Sequence, residues 1–174
     1  MITPEQEKWI QHLSGRVISM YPYDPRSEEL FQKIKRKIQD ILGLDIEVEH
    51  VGASSLGISG QDEIDVSIVV DKEKFQEYVP KLEVVFGPVA SDYPDRKRFE
   101  VREEGKKIDL KIVDRNHPNY LDGKKFEKYL RNHPESLGEY RILKEECSGK
   151  TNQEYYRKKI EFINSIIEKV SLEK

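Results

Sequence analysis

Cysteine occurs once in the 174 residues, as Cys147. An intrachain disulfide and a thiolate zinc site are therefore both excluded. The four histidines, His12, His50, His117 and His133, are too scattered along the chain to form a metal-binding motif. No apolar run reaches the roughly 20 residues of a membrane span. The N-terminus also lacks the apolar core of a signal peptide, so a soluble, cytoplasmic protein without a membrane partner is expected. Charge of one sign is not in excess: 30 Lys and Arg stand against 33 Asp and Glu, a net of −3. That balance disfavours bulk coating of nucleic acid while leaving a local basic patch open. Repeats and low-complexity linkers are absent too.

What remains is a polar chain whose apolar residues are clustered and periodic, the pattern of a folded protein. Its length suits one domain spanning residues 1–174, with an α/β core over 1–120 and a helical segment over 121–174. Thr3 and Pro4 open a short helix as N-cap and first helical residue, with Trp9 as its core anchor. A stronger helix is predicted over 27–42, with Ser27 as cap, Glu28 and Glu29 at its positive end and Gly43 ending it. Leu30, Phe31, Ile34, Ile38, Ile41 and Leu42 mark its buried face.

The period then shortens. Residues 46–51 read as a strand, followed by a small-residue segment and a second strand over 63–70. There Ile64, Val66, Ile68 and Val70 share one face, and Glu63, Asp65 and Ser67 the other. Asp71 is placed to cap a helix to about Tyr78, and 83–89 reads as another strand. Residues 96–102 and 106–113 alternate around Gly105 as a hairpin. Beyond it, helices are predicted over 124–132, 136–147 and 152–170, with Pro134 and Gly149 as punctuation. This order gives an α+β class: a mixed or antiparallel sheet flanked by helices, with a C-terminal helical segment.

Three acids stand out. Glu63 and Asp65 leave one face of a strand about 7 Å apart. Asp109 occupies the analogous point of another strand, with Ile108, Leu110 and Ile112 facing away. If those strands neighbour, three carboxylates meet, and a divalent cation is the usual means of neutralising them. Hard oxygen donors without histidine or thiolate suit Mg²⁺ or Mn²⁺. Upstream, Gly52 lets backbone approach a phosphate, and Ser54 and Ser55 offer hydroxyls to it. Such parts serve phosphoryl or nucleotidyl transfer. Each has a plainer reading as well, since acids on a wet strand face are commonly solvated and Gly-Ala-Ser-Ser is common in loops.

In order and spacing, Gly52-Ala53-Ser54, Glu63-Ile64-Asp65 and Ile108-Asp109-Leu110 resemble the three-carboxylate signature of the nucleotidyltransferase superfamily typified by DNA polymerase beta. The chain is more closely similar to the GrpB family of that superfamily. The likeness is carried by PYDPRSEELFQKIKRKIQDILG, VEHVGASSL, FEKYLRNHPESLGEYRILKEE and YYRKKIEFI, and spans nearly the whole sequence. Two departures stand out: the spacer LGISGQDEID is one residue shorter than usual and lacks Lys-Pro, and the strand KIDLKIVD lacks the family's usual histidines.

The resemblance implies a nucleotidyltransferase-like fold. It also implies an enzyme transferring a nucleoside monophosphate from an NTP, ATP foremost, to an acceptor hydroxyl or phosphate. Glu63, Asp65 and Asp109 would be the catalytic and metal-binding acids, with Asp109 helping to activate the acceptor. Gly52, Ser54 and Ser55 would meet the phosphates; Lys111, on the face of Asp109, would either meet a triphosphate or merely neutralise the acids. The same resemblance adds His50, Arg131, Lys144 and Lys159 to the nucleotide site, where Tyr140 and Tyr155 could stack on a base. Taken by residue type alone, a lone histidine, helical lysines and helix-packing tyrosines such as Tyr140 and Tyr155 are equally at home in structural roles. The alternative function is a non-catalytic nucleotide- or protein-binding module on the same fold.

Overall fold

A computed structural model describes residues 1–172. By internal contacts they fall into two compact units: residues 23–58 with 62–121, and residues 1–22 with 59–61 and the described residues from Asp122 onward.

The first of these is a five-stranded sheet with helices. Helix α2 (Ser27–Leu42) precedes β1 (Glu47–Val51), a four-residue helical turn α3 (Gly52–Ser55) and β2 (Glu63–Val70). Helix α4 (Phe75–Phe86), β3 (Ser91–Tyr93), β4 (Arg96–Glu103) and β5 (Lys106–Asp114) follow. The spatial order is β1-β2-β5-β4-β3, with β2 and β5 parallel and the other neighbours antiparallel. Alternation gives the sheet its two faces. Ile64, Val66, Ile68 and Val70 join Ile108, Leu110, Ile112 and Phe99 in a core closed by Leu30, Phe31, Ile34 and Ile38 of α2 and by Phe75 and Leu82 of α4. Each large apolar side chain so buried contributes roughly 1.5–3 kcal/mol. The opposite face carries the charged residues.

Two local expectations differ from the structure. Arg26, not Ser27, is the N-cap of α2, and the start is held by Asp24, whose Oδ1 accepts from Arg26 N at 3.0 Å. Ser27 is instead the first helical residue and is buried. The strand expected over 83–89 is absent, because α4 continues to Phe86 after a short 3₁₀ turn at Lys72–Lys74, where Asp71 makes no side-chain cap. The run Leu82-Glu83-Val84-Val85-Phe86 buries Leu82 and packs Phe86, four residues apart, while Val84 and Val85 are exposed. That spacing is helical. The hairpin stands as read: Glu104 and Gly105 both have positive φ, 48° and 79°, matching the two-residue turn that suits twisted strands.

The second unit is helical. Helix α1 (Pro4–Gln11) starts with a capping box in which Thr3 Oγ1 accepts from Gln6 N at 3.2 Å and Gln6 Oε1 accepts from Thr3 N at 2.9 Å. It belongs with most of α5 (Pro118–Asn132), α6 (Pro134–Glu146) and α7 (Asn152–Leu172). Trp9 meets Tyr156 of α7 edge-on at 5.1 Å, and Ile18, Cys147 and Tyr155 form a small core.

Candidate functional site

The charged face of the sheet is built around β2 and β5. Their parallel register sets Asp65 directly opposite Asp109, and Glu63 opposite Lys107. The first two acids therefore sit on adjoining strands, with side chains on the same face. The Lys111 ammonium lies between them, 3.1 Å from Asp65 Oδ1 and 2.8 Å from Asp109 Oδ2. Arg98 of β4 donates from Nε to Asp109 Oδ1, and its Nη2 lies 2.9 Å from Glu100 Oε1. Glu63 is one step along the strand, its Oε2 2.8 Å from Lys107 Nζ.

Charge on this face follows from those pairs. Burial pushes the Asp109 carboxyl up, but the Lys111 ammonium and Arg98 guanidinium outweigh it and hold it below the ordinary carboxylate range. Desolvation lowers Lys111, while Asp65 and Asp109 together hold it above the ordinary lysine value. Asp109 and Lys111 are therefore both charged at neutral pH.

Gly52 adds a constraint. Its φ is +76°, and a Cβ there would lie 2.5 Å from Asp65 Oδ2. Only glycine lets the α3 backbone come this close to the carboxylate. Ser54 is buried, and its Oγ lies 2.9 Å from His50 Nε2. His50 stacks on Phe31, ring centroids 4.8 Å apart, and its Nδ1 lies 3.2 Å from Glu28 Oε2. Held against these α2 residues, the His50 ring of β1 orients Ser54. Ser55 Oγ donates to Gly52 O at 2.9 Å.

Among the described residues no three His, Cys, Asp or Glu side chains converge in a metal-binding group. Two carboxylates, Asp65 and Asp109, do converge on one point, and a cationic nitrogen stands there. Hard oxygen ligands from two acids suit Mg²⁺, which commonly takes one or two carboxylates and completes its shell with water and phosphate. The donor set thus fits one such ion. Arg98 and Lys107 were not singled out by sequence reasoning. The signal for Arg98 was present, because a two-residue turn at Glu104-Gly105 pairs Glu103 with Lys106 and so brings Arg98 opposite Lys111.

The family model described as GrpB protein matches residues 17–169. The chain belongs to the GrpB family. A UPF0157 protein of Vibrio cholerae is 26% identical over 155 residues, covering 83% of this GrpB chain and 78% of the relative. A UPF0157 protein of Halalkalibacterium halodurans is 39% identical over 71 residues, 39% of this chain and 36% of that one. Among solved structures, the conserved protein GrpB from Enterococcus faecalis shares the fold, with a TM-score of 0.68 at 20% identity over 86% of this chain and 95% of its own.

The remaining expected site residues of this GrpB chain lie in the helical unit. Arg131 Nη2 is 3.8 Å from Glu127 Oε2 on α5. Tyr140 is buried, stacked on Phe162 with centroids 5.3 Å apart and edge-on to Phe126 at 5.2 Å. Buried Lys144 stands 5.4 Å from the centre of the Tyr140 ring. Lys159 stands 5.7 Å and 5.3 Å from the rings of Tyr155 and Tyr156. No described helix is long and apolar enough to cross a membrane.

Proposed function

We propose that this GrpB protein is a nucleotidyltransferase, moving a nucleoside monophosphate from an NTP, ATP foremost, to an acceptor hydroxyl or phosphate. The observation that carries the reading is the parallel register of β2 and β5, which aims Asp65 and Asp109 at one cation position. Those two residues would hold Mg²⁺ or Mn²⁺, with Glu63 beside them. When bound, the metal would neutralise triphosphate charge and polarise the α-phosphate. Asp109, ionised well below neutral pH, is a ligand rather than a strong proton acceptor. Gly52 admits backbone close to the same carboxylate, and Ser54, positioned by His50, faces the phosphates with Ser55. The acceptor oxygen bonds to the α-phosphorus, a hydroxyl acceptor giving up its proton to solvent, the bond to the bridging oxygen breaks, and pyrophosphate leaves with that electron pair.

The second reading is a non-catalytic nucleotide- or protein-binding module, and the Lys111 ammonium between the two acids favours it. The two separate in one assay. The four NTPs are offered with Mg²⁺ or Mn²⁺ and a cell extract as acceptor pool, and pyrophosphate is measured. The enzyme reading expects release by the wild type and background release by a folded Asp65→Asn protein. Metal-independent nucleotide binding that survives Asp65→Asn, without pyrophosphate, would establish the module instead.

A further inference from the structure

We propose that Lys111 is the resting counter-ion of the Asp65–Asp109 pair, and that a divalent cation reaches those carboxylates only by displacing its ammonium. The proposal rests on the reading of that pair as a metal site.

A single nitrogen, within 3.1 Å of Asp65 and 2.8 Å of Asp109, takes the position where the two carboxylates converge. Arg98 covers the other Asp109 oxygen. Two acids therefore already face two cations, and the half-exposed Glu100 shares Arg98 from the rim. With Glu100 the set carries one negative charge, and adding a divalent ion would leave it one charge positive beside Asp109, whose side chain is only 9% exposed. One cation must go. Arg98 is held between Asp109 and Glu100, a planar fork spanning two acids. Lys111 is a point charge on a flexible four-carbon stem, and a quarter of its side chain reaches the surface. It is the group able to leave. Its departure frees an ammonium beside the metal position, suited to an anionic ligand.

This makes Lys111 a determinant of metal affinity with an unusual sign. A residue that merely props up the site would, on removal, weaken metal binding. A competitor would strengthen it. Even at the dielectric of bulk water, breaking one contact between unit charges about 3 Å apart costs about tenfold in affinity.

The test is a Mn²⁺ titration of the full chain, reading free Mn²⁺ by electron paramagnetic resonance. Wild type, Lys111→Met, Lys111→Gln and the double variant Lys111→Met with Asp65→Asn are compared after circular dichroism confirms their fold. Lys111→Gln keeps a hydrogen-bond donor beside Asp109 should methionine disturb the strand. Both single variants are expected to bind Mn²⁺ at least about tenfold more tightly than wild type, and the double variant to lose the gain. Equal or weaker binding than a wild type that does bind would overturn the competition and leave the metal reading standing. Absence of Mn²⁺ binding in wild type and both single variants would overturn both.

Discussion

At Gly52 a missing side chain decides the geometry of the candidate site. The positive φ disfavours any other residue, and a Cβ would come within 2.5 Å of Asp65 Oδ2. Gly52→Ala combines left-handed strain of roughly 1–2 kcal/mol with a steric clash against a group already tied to Lys111. The expected result is a loss of roughly 2–3 kcal/mol in chemical denaturation, together with weakened Mn²⁺ binding as Asp65 is pushed aside. Unchanged stability would mean that the turn relaxes freely and that glycine is not required there. His50 illustrates the limits of residue type. Its position beside the small-residue turn was readable, but its ring works on Phe31, Glu28 and Ser54, partners from α2 and α3.

Elements were readable where the period was clean. Alternation in β2 and β5 assigned core and charged faces correctly, and helical spacing did so for α2. It failed at 82–86, where adjacent valines imitate a strand and only the i, i+4 pair Leu82 and Phe86 betrays a helix. Val84, 86% exposed on α4, supplies the check. Val84→Glu is expected to change stability by no more than about 0.5 kcal/mol, whereas a core strand valine replaced by an acid would lose several times that. Urea denaturation of the variant distinguishes the two. The hairpin succeeded for a related reason, since its turn chemistry is local and sets the register of everything that follows.

For the molecule as a whole, acid stability follows from its carboxylates. The hydrogen bonds from Arg26 to Asp24, the Arg96 charge and Asn119 hydrogen bond that outweigh burial at Asp95, and the cations that outweigh it at Asp109 hold all three below the ordinary range. A depressed folded pKa adds stability that is present above the unfolded value near 3.9 and is lost as pH falls through the folded values. Stability measured by denaturant is therefore expected to stay level from neutral pH to about 4.5 and to fall steeply below about 4. The Asp109→Asn protein should start lower and fall less. An equal slope in the two proteins would remove Asp109 from that account.

The sequence by itself determined which side chains share a face, where the hairpin turns, and which segments of the chain carry the GrpB likeness. The first two depend on periodicity and turn residues a few positions apart. Only the tertiary structure decided that β5 lies between β2 and β4, that Asp65 and Asp109 share a register position, and that Lys111 stands between them. It also decided that α1 belongs with the C-terminal helices. The β2–β5 pairing and the Lys111–Asp65 contact join residues more than forty positions apart, and they are set by how whole faces pack rather than by any local pattern.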